Sequence, residues 1–233
     1  MESLIATLRS LHIAAGMVAL FVAPAAMLTV KGGLAHRRWG KIYFWSMALV
    51  AATAVVLSLW RPRIFLTLLA VFSFYQAFAG YRVLGRKRPA RGDGPRPIDW
   101  AAALATFAAS AALVVLGVLR PGASWERIGI VPVVFGALGM VLSGIDLRKF
   151  VRPPADERAW WFAHMSGMLG SYIAAVSAFS VVNFGFLPIA VRWLWPTIVG
   201  TPLIALWISY YRGRFGRWRP SAGSEPTAAG NVP

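Results

Sequence analysis

The sequence predicts an all-α integral membrane bundle of seven transmembrane helices, and three observations lead there. The 233-residue chain is 58% hydrophobic and only 14% charged, more apolar than the core of a soluble domain can absorb. Its charges sit in short clusters between uncharged runs. At about 1.5 Å of rise per residue, each run is long enough to cross a hydrocarbon layer of about 30 Å. The cations also alternate: of 24 Lys and Arg, 18 follow the first, third, fifth and seventh runs and 6 lie elsewhere. By the positive-inside rule the amino end is expected outside and the carboxyl end in the cytoplasm.

The first run, residues 11–30, carries Pro24, which predicts a bend. Residues 1–10 hold Glu2 and a single Arg9, a poor secretory leader, and the run exceeds the ~7–15 apolar residues of a leader core, so it is expected to be retained. KGGLAHRRWGK connects it to the second span at 42–60. An RPR turn at 61–63 precedes the third span at 64–81. Residues 85–97, GRKRPARGDGPRP, read as a loop with Asp99 as N-cap of the fourth span, 100–119. RPGASWERIG separates that span from the fifth, 130–147, which begins around Pro132. The sixth span is 160–183; NFGFLP ends it, and the seventh covers 193–211 after Arg192. The chain thus divides into a transmembrane domain at 1–211 and a cytoplasmic tail at 212–233, basic through Phe215 and Trp218 to Arg219, then disordered in composition. Trp60, Trp160, Trp161, Trp193, Trp195 and Tyr211 are expected at the interfaces as aromatic anchors.

The sixth span has the content of a helix at the centre of a bundle. Ala163, Gly167, Ser171 and Ala175 recur every fourth residue, with Gly170, Ala174 and Ala178 as a second row, and such rows let helices approach closely. His164, Ser166, Tyr172 and Asn183 add polar groups that are costly against lipid.

Several function classes drop out. A net charge of +16 asks for an anionic partner, but no separate soluble domain carries a nucleic-acid face, so the expected partners are the bilayer and its anionic headgroups. With no cysteine there is no disulfide, thiolate-bound zinc or iron–sulfur cluster. Seven spans do not divide into equal inverted halves, which counts against the common repeat-built transporters. No His-x-x-x-His occurs, which counts against a hydrolase similar to the alkaline ceramidases.

The topology gathers scattered polar residues into a layer near the cytoplasmic face: His36, Tyr81, Arg82, Asp99, Asp146 and His164, joined along the sixth span by Ser171 and Tyr172. His12 lies toward the opposite face. The sharpest reading is that His36 and His164 ligate a b-type haem through imidazole nitrogens, in a redox role. A metal site of His36, His164 and Asp146 has suitable ligand types but no spacing motif. In the plainer reading His36 sits among headgroups beside Arg37 and Arg38, His164 bonds within the bundle, Asp146 pairs with Arg148, and Met165 and Met168 fill gaps. The alternative functions are a small-solute or proton-coupled transporter with Asp146, Arg82 and His164 along its path, and an assembly subunit without chemistry.

LHIAAGMVALFVAP, then KGGLAHRRWGKIY, then HMSGMLGSYIAAVSAF running into VVN together resemble an uncharacterised family of bacterial multi-pass membrane proteins catalogued as a domain of unknown function. The likeness spans roughly residues 11–183. It lands on His12, Gly16, His36, Arg37, Gly40, His164, Met165, Tyr172 and Ala178, and is most specific at HRRWG and in the sixth span. It implies an inner-membrane location and a role for the three histidines, and it brings no activity with it.

Overall fold

The structure, a computed structural model, describes residues 2–60, 63–88, 92–120 and 122–217, with side chains as far as 214. Arg61 of the expected RPR turn, and the expected tail from Trp218 onward, lie outside the described residues. Every regular element among them is helical: α1 (Glu2–Leu28), α2 (Leu34–Trp60), α3 (Ile64–Arg82), α4 (Pro97–Leu119), a short α5 (Ala123–Ile128), α6 (Val131–Val151), α7 (Ala159–Asn183) and α8 (Ile189–Arg217). All except α5 are long and apolar enough to cross a membrane. Their outer surfaces present large apolar side chains such as Phe21, Trp45, Leu59, Val118 and Leu206, each about two-thirds exposed or more. Such a surface belongs against acyl chains, and the chain is a multi-pass membrane protein.

The expected spans are all present, but their bounds differ in several places: α1 starts at Glu2, nine residues before the expected Leu11, and α6 runs on to Val151, past the expected Leu147. α2 starts at Leu34 and takes in the HRRWGK cluster, because Ala, Leu, Arg and Lys favour helix and their charged heads can reach headgroups. The turn before it is 29–33, where Gly32 takes φ +78°, a left-handed conformation open to glycine. α4 starts two residues before Asp99, which is therefore not the N-cap: its carboxylate accepts the Arg96 N–H at 2.8 Å from the third helical position. α5 fills what reads as a loop, held by the buried Trp125 against Phe65. α8 starts at Ile189 and includes Arg192, whose Nε–H donates to the Leu187 carbonyl at 2.7 Å.

Consecutive helices run up and down, and α1, α2, α3 and α7 close a four-helix ring in which α2 and α7 are diagonal. α4 and α6 pack as a pair on the other side of α3, and α8 lies against α7. The most enclosed helix is α3, with seven buried residues; α4 and α6 have six each and α7 five, so the sixth span is not the central helix that its small residues suggest. Where α3 and α7 meet, Gly80 faces Gly167: a Cβ on Gly80 would stand 2.9 Å from the Met168 nitrogen, and one on Gly167 would stand 2.7 Å from the Gln76 carbonyl oxygen. Only hydrogen fits on either side of that crossing, as small-residue helix packing requires.

The apolar core has two parts. Phe65, Leu69, Phe72, Leu113, Trp125, Val131, Phe135 and Trp193 fill the end away from the basic clusters, and Ala19, Ala23, Tyr43, Phe44, Met47 and Ala77 fill the four-helix ring. Trp193 is buried and so is internal rather than an interface anchor, while the half-buried Trp195 donates its Nε1–H to Ser180 Oγ at 2.8 Å.

Candidate functional site

α1 and α3 end, and α2 and α7 begin, at the basic end of the four-helix ring. The last carbonyls of an α-helix have no partner within it. At α1 three side chains cover them: Thr29 Oγ1 and His36 Nδ1 donate to the Ala26 oxygen at 2.8 and 3.0 Å, and Lys31 Nζ donates to the Met27 oxygen. Burial lowers the Lys31 ammonium from its ordinary pKa, and its charge lies 5.4 Å from the Trp207 ring centroid. At α3 the helix gives way to a 3-10 turn, Val83–Gly85, and the Gly80 oxygen accepts His164 Nδ1–H at 2.7 Å.

Each histidine thus reaches from the first turns of one helix to the last turn of another. Carbonyl oxygens only accept, so both rings carry their proton on Nδ1, and in the neutral form both keep a lone pair on Nε2. The two rings come together, with centroids 6.2 Å apart and planes at 78°. Among the described residues no hydrogen bond engages either Nε2. A metal about 2.0–2.1 Å from one nitrogen of each imidazole, set between them, places such centroids about 6 Å apart. Fixing the far nitrogen on a carbonyl is also how proteins orient metal-binding histidines.

Below the pair, Tyr43 and Ser171 sit seven residues, about 10 Å, further along α2 and α7. Their hydroxyls meet at 2.6 Å, and Ser171 Oγ–H donates to the Met168 oxygen, so Tyr43 O–H is the donor between them. Ser171 and Tyr172 therefore form a deeper tier than the histidines. Gly40, one turn beyond His36 on the same face of α2, has open space where a Cβ would stand. Tyr81 stacks on Phe44, centroids 4.4 Å apart, and Arg37 is exposed, bonding the Gly33 oxygen through its backbone N–H.

The remaining expected residues form a second cluster between α3, α4 and α6. Arg82 donates two bonds of 2.9 Å to Asp99, a bidentate pair, with the Asp99 side chain 2% exposed. Asp146 accepts Tyr75 O–H at 3.0 Å and pairs with Lys149 at 3.4 Å. The expected partner Arg148 does not take part. Asp146 does not join the histidines, and no group of three His, Cys, Asp or Glu able to hold a metal exists among the described residues, so the three-ligand site is not formed. His12 stands apart toward the opposite face, its Nδ1 2.9 Å from Thr53 Oγ1.

The functional groups that sequence reasoning passes over are Tyr43, Tyr75 and Gln76. Each is a buried polar residue in an apolar span, and that interruption is the signal that marks them. No family model matches the sequence, and neither a curated protein nor a solved structure matches it.

Proposed function

We propose that this chain is a bacterial inner-membrane protein, amino end outside and carboxyl end cytoplasmic, that holds a b-type haem between His36 and His164 and works in electron transfer. One observation carries the reading: two imidazoles, each tied through Nδ1 to a helix-end carbonyl, approach with centroids 6.2 Å apart, and among the described residues no hydrogen bond engages either Nε2. A bare metal ion needs three or four protein ligands, and a third is not at hand among the described residues. A b-type haem would be held by two protein side chains, and His36 and His164 are the pair that would supply them. Bound there, it supplies one-electron exchange at the membrane face. The chain's part is to fix two rings through their Nδ1 bonds and cover the site with helices. Both histidines lie in HRRWG and HMSGMLGSYIA, the stretches that carry the expected resemblance to a bacterial membrane family.

The test is the haem and iron content of purified protein: about one haem per chain, lost in His36→Ala and in His164→Ala, and kept in His12→Ala. Iron-free preparations from cells supplied with iron and haem precursor rule the reading out. A second reading, proton-coupled transport, has the Tyr75–Asp146 hydrogen bond in its favour. It predicts solute flux into liposomes that Asp146→Asn abolishes; unchanged flux counts against it.

A further inference from the structure

Arg86 is the residue whose chemistry the fold leaves unanswered. It follows the 3-10 turn at the end of α3, immediately after the apolar span Ile64–Gly85. Its side chain is 13% exposed, yet among the described residues its guanidinium makes no hydrogen bond, and Nη1 is buried without a partner. Five N–H donors in so enclosed a place are nearly always matched to acceptors. The nearest carboxylate, Asp99, stands 3.7 Å away, inside Coulomb range but outside hydrogen-bond range, because Arg82 already holds it bidentately and the Arg96 N–H takes a further bond. The guanidinium carbon lies over the Phe150 ring, 4.9 Å from its centroid.

The charge count points the same way. Arg82, Arg86 and Lys149 face Asp99 and Asp146 in this cluster, three cations to two carboxylates, so one positive charge is unmatched. A planar fork with spare donors suits a phosphate oxyanion, which accepts two parallel N–H bonds.

We infer that Arg86 is the anchor of an anion site for a phosphate group, supplied by an anionic phospholipid headgroup or by a free phosphate. The site lies between the end of α3, the start of α4 and the end of α6, and it is independent of the histidine pair.

The experiment uses the full chain purified in detergent, its unfolding midpoint followed while phosphatidylglycerol, phosphatidylcholine of the same acyl chains, or inorganic phosphate is added. Phosphatidylglycerol is expected to raise the midpoint, and Arg86→Gln to weaken its apparent binding at least tenfold. Arg148→Gln, which removes an equal charge from an exposed position on α6, leaves binding within twofold. Arg86→Lys, keeping the charge without the fork, falls between and covers the case in which Arg86→Gln fails to fold. Inorganic phosphate acting in the same Arg86-dependent way identifies a free anion as the source. Equal responses of the wild type and Arg86→Gln, equal losses in Arg86→Gln and Arg148→Gln, or an equal shift with phosphatidylcholine overturns the site.

Discussion

His36 and His164 belong to helices that face each other diagonally across a four-helix ring, yet their rings stand 6.2 Å apart with planes 78° from parallel. Neither ring is free to turn, because each Nδ1–H is bonded to a carbonyl at the end of a third or fourth helix. The pair is therefore fixed by all four helices at once.

That fixed angle predicts a spectroscopic signature. Axial imidazoles with nearly perpendicular planes give low-spin ferric haem a highly anisotropic paramagnetic resonance signal, whereas parallel planes give a rhombic one. The oxidised protein is expected to show the highly anisotropic type. A rhombic signal would mean that the rings rotate from the orientation described here.

The contact between α3 and α7 can be tested by adding single methyl groups. Gly80→Ala places a Cβ 2.9 Å from the Met168 nitrogen, and backbone cannot yield as a side chain can. Thermal unfolding in detergent is expected to show a loss of roughly 1–3 kcal/mol. Gly40→Ala meets nothing within 4 Å and replaces a helix-interior glycine. It should be neutral or stabilising by up to about 1 kcal/mol. Equal effects at the two positions would argue against the tight crossing.

The Tyr43–Ser171 bond should respond unequally to its two halves. Tyr43→Phe leaves Ser171 bonded to the Met168 oxygen, and is expected to cost about 0.5–1.5 kcal/mol. Ser171→Ala strands a buried phenol, which costs about 1–3 kcal/mol. Unfolding midpoints in the reverse order would show that the Tyr43 hydroxyl finds another acceptor.

Orientation is tested by reporters active only in the cytoplasm. Fusions after Pro233 and within residues 86–96 should be active, and a fusion after Arg120 should be silent. The reverse pattern inverts the bundle.

Much of this architecture is legible in the sequence because lipid demands long uncharged runs, and a residue such as Asp99 or Lys31 marks their ends sharply. Helix ends that continue past the hydrocarbon are harder to read. Leu34 to Lys41 carries charge and still forms helix, since charged side chains reach headgroups while the backbone keeps its bonds. That His36 and His164 share a depth follows from alternation of the spans. That they meet, while Asp146 goes to Tyr75 instead, depends on which helices are neighbours. The enclosed position of α3 has its own trace in the sequence, a row of small residues at Ala70, Ser73, Ala77 and Gly80, less conspicuous than that of α7 because large side chains surround it.

The most direct measurement is the visible absorption spectrum of the purified, reduced protein. A sharp band of b-type haem is expected, lost in His164→Ala and in His36→Ala with the fold intact. A colourless wild-type protein after haem supplementation, or a band that survives both substitutions, would contradict the histidine pair as its ligands.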